Sequence, residues 1–292
     1  MKKLLIASTA LVATAGMASA DITITGHAAA GIHSGLDDVT TTGAGNLTDN
    51  AADGVYSNAG VDFTMTGATD NGISFSASVN IDAGTEIDSG DFEFDGADGG
   101  TAGLGSVSMT GSFGTLTFDD GGIDNLYNGD YTSADVSYST TVGAVSLSVA
   151  HDSAGVAQAN SMSAGYSASG MTFALAASED TAGTSASLKV SYALNDTVSV
   201  TGKTDQVAGA ESVQTITAAT TLNGVSVSVS SANNSKWDVD LGYTAGGFAL
   251  TYGVDETDGW TATATTALGG GATFSAGVDN NDSTYAGVSF AF

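Results

Sequence analysis

The sequence predicts an all-β fold, a transmembrane antiparallel up-and-down β-barrel, on three observations. Short segments alternate between apolar and small polar residues, with a period of two that puts the two kinds of side chain on opposite faces of a sheet. Tight turns and longer acidic loops largely alternate between those segments, as they do at the two ends of a membrane barrel. Pro is absent from all 292 residues, which suits uninterrupted ladders because Pro removes a ladder donor.

The segments run in order along the chain. Ile22–His33, Val55–Gly67 and Ile73–Ile81 come first, and Gly105–Ser112 and Thr115–Asp119 follow. Ala134–Thr141 precedes Ala144–His151, whose core Val145-Ser146-Leu147-Ser148-Val149 is a clean alternation. Asn160–Ser169, Met171–Ser178, Thr184–Leu194, Thr197–Thr204 and Ser212–Thr221 lead to Val225–Ser231, which repeats the Val/Ser pattern. Lys236–Thr244, Phe248–Val254, Trp260–Leu268, Ala272–Val278 and Thr284–Phe292 complete a count of eighteen, and merging weak neighbours gives sixteen. Either number is even, places both ends of the barrel on one side, and encloses water rather than a packed core.

The connections carry their own chemistry. Tight ones such as Ser169-Gly170 and Leu222-Asn223-Gly224 match two-residue hairpin turns. The acidic ones include Gly35–Asp53, Asp82–Thr101 and Asp119–Tyr131. In lipid every backbone N–H and C=O needs a partner, which only a closed sheet gives to strands. The faces rich in Ser, Thr, Gly and Asp are too small and polar to fill a core, so they are expected to line water. The Val, Ala, Leu, Ile and Phe faces are expected to meet lipid. Tyr138, Tyr192, Tyr243, Tyr252, Trp260, Tyr285 and Phe290 lie near segment ends, where interfacial aromatic girdles belong.

Composition narrows the function. Lys2 and Lys3, an apolar run from Leu4 to Met17 and Ala18-Ser19-Ala20 read as a cleaved secretory signal over residues 1–20, with one barrel domain over residues 21–292. Absence of Cys excludes a disulfide scaffold in the exported chain. All 32 acidic residues follow Ala20, where Lys189, Lys203 and Lys236 are the only basic side chains (3 − 32 = −29). So acidic a chain repels phosphate, and no nucleic acid is expected as a partner. Inside a channel the same charge favours cations.

Four stretches carry a family resemblance. The chain ends Tyr285-Ala286-Gly287-Val288-Ser289-Phe290-Ala291-Phe292, an alternating strand closed by Phe, similar to the assembly signature of bacterial outer-membrane barrels. The stretch from Val61 through Thr69-Asp70-Asn71-Gly72 to Phe75 resembles the second strand, turn and third strand of the alpha-proteobacterial, Rhodobacter-type general porins. Thr110–Thr117, with Gly111-Ser112-Phe113-Gly114, is similar to their hairpin before the constriction loop, and Leu126–Tyr131 to part of that loop. The resemblance implies an outer-membrane porin of a Gram-negative bacterium, a homotrimer of sixteen-stranded barrels in lipid. Each would pass ions and small hydrophilic solutes by passive diffusion and narrow its pore with an inward third loop. It departs from the family at Tyr56–Asp62, which lacks the basic residues usual on the second strand, so the pore is expected to be more uniformly negative and cation-preferring.

On that reading the constriction falls on Asp119, Asp120, Asp124, Asn125, Tyr127, Asn128 and Asp130. Carboxylates in a narrow aqueous passage concentrate cations and exclude anions. Asp119 and Asp120 are also candidate oxygen ligands for Ca²⁺. Asp91–Gly96 approaches the opening of an EF-hand loop, but Ala102 stands where the bidentate Glu is needed. No other cofactor is implied. His27, His33 and His151 lack partners at metal spacing, no G-x-S-x-G supports a nucleophile, and no enzyme is expected. The competing reading is a secreted, acidic, Ca²⁺-binding β-solenoid or adhesin, against which the chain shows no nonapeptide or longer fixed repeat.

Overall fold

The structure is a computed structural model that describes residues 21–38, 52–90, 92–129, 131–155 and 159–292. The expected export signal, Met1–Ala20, lies outside the described residues, as do Asp91 and Asp130. The strands are β1 (Asp21–Ser34), β2 (Asp37–Asp38), β3 (Gly54–Ala68), β4 (Ser74–Asp88), β5 (Glu93–Gly111), β6 (Gly114–Asp124) and β7 (Thr132–Val142). They continue with β8 (Val145–His151), β9 (Asn160–Ala168), β10 (Met171–Asp180), β11 (Gly183–Ala193), β12 (Val198–Gln206) and β13 (Val213–Leu222). The last are β14 (Val225–Ala232), β15 (Trp237–Ala245), β16 (Phe248–Asp255), β17 (Trp260–Gly269), β18 (Ala272–Asp279) and β19 (Thr284–Ala291).

Long strands pair antiparallel with their neighbours in the chain, and β1 pairs with both β3 and β19, from His27↔Ala291 to Ser34↔Thr284. The sheet therefore closes as an eighteen-strand ring, and β2 adds only a parallel bridge to β5 at Asp37↔Glu93 and Asp38↔Phe94. Eighteen is the number the alternating segments give, and it replaces the sixteen implied by the resemblance. Closure removes every sheet edge, and the antiparallel up-and-down order excludes a solenoid. No described helix is long and apolar enough to span a membrane; the strands of a barrel make the crossing.

Register partners share a face of the sheet. Ser148, Ser163, Ala176, Ser187 and Asp205 form one row across β8 to β12. Leu147, Ala164, Leu175, Leu188 and Thr204 form the adjacent row, on the opposite face. The small polar face looks inward, because the segment joining β6 to β7 rests on it: Leu126 N–H donates to Ser161 Oγ (3.0 Å) and Asn125 Nδ2 donates to Ser178 Oγ (2.8 Å). The apolar face looks out, and Ile22, Ile24 and Ile32 of β1 are each about 60% exposed on it. Such exposure would be unfavourable in water and is the required condition in lipid.

Turn chemistry follows expectation. Asn223 (φ 52°) and Gly224 (φ 83°) both adopt the left-handed region that a type I′ hairpin needs. The β4–β5 connection does not follow it. The sequence places a loop over Asp82–Thr101, whereas β4 continues to Asp88 and β5 begins at Glu93. Its cross-strand hydrogen bonds persist past the acidic residues, through three register shifts between Ala77 and Glu86. Tyr285 also departs from its expected place in the outer girdle. It pairs with His33 and Gly277 on the inner face and is 6% exposed, so it is not part of an outer girdle. Tyr192, Tyr243, Tyr252, Trp260 and Phe290 do share rows with the outward apolar residues.

The inside-out arrangement predicts asymmetric tolerance of charge. Leu175→Arg, in the middle of an outward row, is expected to cost about 2–4 kcal/mol of stability in lipid. Ser187→Arg, on the neighbouring inward row, is expected to cost little. Urea titration of both variants folded into lipid vesicles checks this, and equal penalties would contradict the assignment of faces.

Candidate functional site

The site is the interior of the barrel, and it is built from the wall inward. Lys189 alternates with Ser187 and Ser191, away from Leu188 and Val190, so its ammonium enters the lumen. Register then sets Lys189 directly opposite Lys203 on β12. Like charges face to face repel, and both side chains stay exposed to lumen water, which screens them. Two residues along β12, Asp205 Oδ2 accepts from Lys203 Nζ at 2.7 Å.

The chain between β6 and β7 folds onto this wall. Asn125 is 4% exposed, and its Oδ1 accepts from the N–H groups of Tyr127 (3.0 Å) and Asn128 (3.1 Å). That is an Asx turn, in which a short amide side chain replaces a backbone acceptor. Asn125 N–H donates to Tyr131 C=O (2.8 Å) and Tyr131 N–H to Asn128 C=O (3.1 Å), closing a compact knot. The knot then docks: Asn125 on Ser178, Leu126 on Ser161, and Tyr127 O–H on Asp205 Oδ1 at 2.6 Å. Asp205 thus holds Lys203 with one oxygen and the inward segment with the other. Burial, then the hydrogen bond to Asp205 and its negative charge, push the Tyr127 phenol up to about 12.

Of the residues expected at the constriction, Asn125, Tyr127 and Asn128 are gathered in this inward knot. Asp119, Asp120 and Asp124 lie at the end of β6. Asp124 Oδ1 accepts from Thr132 Oγ1 across the β6–β7 ladder (2.6 Å). The Asp119 carboxylate occupies the space that a side chain at Gly122 would need. Asp119 is half-buried and Asp120 exposed, on a stretch of β6 where the register to β7 shifts between Phe118 and Ile123. Among the described residues no three His, Cys, Asp or Glu side chains gather as a metal would require. Asp130 lies outside the described residues.

Other charged residues line the lumen. Asp62, Asp82, Asp238, Asp240 and Asp255 lie on inward rows of β3, β4, β15 and β16. His27 on β1 stands 3.8 Å from Asp62 and 3.3 Å from Asp82. The parity of each strand carried this signal, as with Asp238 and Asp240 flanking Val239. On a wall expected to be more uniformly negative than in the family, the Lys189–Lys203 pair is a local positive patch under the inward knot.

A closed eighteen-strand ring with a polar lumen and an inward-folded segment is the architecture of a channel. The sequence matches the family model for Gram-negative porins over residues 7–290. The chain belongs to the Gram-negative porin family. Among solved structures it resembles a triple mutant of the Rhodopseudomonas blastica porin, at 17% identity and a TM-score of 0.54, covering 93% of this chain and 100% of that one. Another mutant of the same porin matches at 14% identity with the same coverage and TM-score. No curated protein matches by sequence. As a porin of this type the chain is an outer-membrane β-barrel channel.

The tether of Tyr127 makes a pH-dependent prediction. A phenol whose folded value is raised contributes its full stabilisation below its ordinary value of 10.0, and that contribution is lost as pH rises through about 12. The difference in tyrosinate absorbance between the native chain and Tyr127→Phe should therefore titrate near pH 12. In an Asp205→Asn background the same difference should move down toward 10. A midpoint unaltered by Asp205→Asn would contradict the tether.

Proposed function

We propose that this porin is a water-filled, cation-preferring channel for passive diffusion of ions and small hydrophilic solutes. The observation that carries the reading is the inward face, where Asp62, Asp82, Asp205, Asp238, Asp240 and Asp255 share the lumen with Lys189 and Lys203. Carboxylates on a low-dielectric wall raise the local cation concentration, and the opening between wall and inward knot sets the size of what passes. Asp205 has a double part, since it supplies negative charge and anchors Tyr127. Asn125, Tyr127 and Asn128, beside Asp119, Asp120, Asp124 and Asp130, form the constriction in this reading. Asp119 and Asp120 are also its candidate Ca²⁺ ligands.

The resemblance to Rhodobacter-type porins supports a homotrimer in outer-membrane lipid, and the Ala18-Ser19-Ala20 signal supports export with cleavage after Ala20. Mass spectrometry of protein purified from the membrane should give an N-terminus at Asp21.

Planar-bilayer recording in unequal KCl tests the channel itself. Discrete conductance steps are expected, with a reversal potential favouring K⁺. Lys189→Glu with Lys203→Glu should increase the preference for K⁺, and Asp238→Asn with Asp240→Asn should reduce it. A reversal potential favouring chloride in the native chain would refute the reading.

A further inference from the structure

We propose that the tip of the β4–β5 hairpin, carrying Ser89, Gly90 and Phe92, is a second constriction that narrows the lumen from the wall facing the Asn125–Asn128 knot. The proposal rests on the channel reading and adds a specificity element to it.

The first observation is an apolar cluster where none is expected. The inner face of this barrel is Ser, Thr, Gly and Asp almost throughout. Yet Leu36 (0% exposed), Phe92 (5%) and Tyr285 (6%) pack together there, with Ile87 and Phe94 against them. Phe92 meets Tyr285 edge-on at 5.4 Å between ring centroids, and Phe94 stacks on His33 at 4.4 Å. Leu36 comes from the first outer loop, Phe92 and Phe94 from the hairpin, and Tyr285 and His33 from the wall. In a water-filled lumen such residues are stable only when they cover one another.

The second observation is a wall shaped to receive them. Gly277 leaves room for the Tyr285 ring, because a Cβ there would lie 2.4 Å from Tyr285 Cε1. Gly31 does the same for Tyr56, with a Cβ 2.5 Å from Tyr56 Cε1. The two tyrosines therefore lie against a stretch of wall without side chains on β1, β18 and β19.

The third is the bend of the hairpin. β4 and β5 are too long to end at the rim, and register shifts accumulate between Ala77 and Glu86. Gly84 has φ 112°, and a Cβ there would meet Ser57 C=O at 2.1 Å, so the hairpin turns across β3 at a point only Gly permits. Asn58 Nδ2 donates to Glu86 Oε2 (3.3 Å) and Ser57 N–H to Thr85 Oγ1 (3.4 Å), holding the bent arm on β3.

The reach of the tip completes the argument. Ser89, Gly90 and Phe92 line a single cavity with Thr251, Thr261, Thr263 and Ser275, inward residues of β16, β17 and β18. From β4 the tip has passed β3, β1 and β19 to face β18, β17 and β16. It cuts off one side of the lumen as a chord cuts a circle. The knot of Asn125–Asn128 sits on β9 to β12, nearly half-way round the ring from the β19 wall on which Phe92 packs. Solute passes between the two.

The test measures the full chain beside Phe92→Ser and Phe92→Ser with Phe94→Ser, using bilayer conductance and swelling of proteoliposomes in sugars of increasing size. The expected result is a larger conductance step and loss of the native size limit in both variants, with a heat-modifiable gel shift showing that the barrel still folds. A second readout uses Ser275→Cys, the only thiol in the chain, labelled by a membrane-impermeant maleimide. Labelling should accelerate when Phe92→Ser is added. If the native chain conducts but its size limit and the labelling rate are both unmoved by Phe92→Ser, the second constriction is refuted while the channel stands. If the native chain gives no conductance, the channel reading fails and takes this proposal with it.

Discussion

Everything in this molecule depends on where backbone hydrogen bonds can be made in hydrocarbon. No water is available there to an unpaired N–H, so a strand is stable only with a partner on each side. The pairing of β1 with both β3 and β19 meets that demand for the whole ring. Once the ring is closed, each strand has one face in lipid and one in the lumen, and the period of two sorts the side chains without further instruction. Val, Leu, Ile and aromatic residues gain on the outside. Ser, Thr, Gly and Asp are solvated on the inside. A single slip of register would exchange the two sets, which is why rows such as Leu147–Leu175–Leu188 and Ser148–Ser163–Ser187 identify the fold so sharply.

That sorting explains what was legible in the sequence. Eighteen alternating segments became eighteen strands because alternation is a local property, and so were the turns, since Asn223-Gly224 allows little else. The inward position of Lys189 or Tyr285 was also legible in principle. Tyr285 alternates with Gly287 and Ser289, while Val288 and Phe290 take the other parity. Reading Tyr285 by its nearness to a strand end, and not by its parity, placed it in the wrong layer. What no single strand reveals is pairing. The opposition of Lys189 and Lys203, the approach of His27 to Asp62 and Asp82, and the docking of Tyr127 on Asp205 all depend on register or on tertiary reach.

The residues expected at the constriction show the same boundary. Asn125, Tyr127 and Asn128 share an amide-rich turn that is self-contained: Asn125 templates it through hydrogen bonds two and three residues away. Asp119, Asp120 and Asp124 look equivalent to them as loop acids, yet β6 runs through Asp124, its pairing with β7 interrupted between Phe118 and Ile123 and resumed to Asp124↔Thr132. Acidic composition alone does not end a strand at the mouth of a barrel, where alternate residues can reach water. The β4–β5 hairpin extends the point, for its acidic stretch remains paired well past the expected boundary.

The lumen has no hydrophobic core to fix what folds into it, so each inward segment needs its own adhesive, and the two differ in kind. The knot at Asn125–Asn128 is held by directed polar bonds to Ser178, Ser161 and Asp205, which compete with water and depend on geometry. The hairpin tip is held by burial of Phe92, Leu36 and Tyr285, which needs no alignment but does need a surface cleared of side chains. The wall supplies Ser and Asp beneath the first and Gly beneath the second. A barrel whose inner face were uniformly one or the other could hold only one of these segments. The uneven distribution of small residues round this ring therefore does more than keep the lumen open: it decides where each inward segment docks, and by which chemistry.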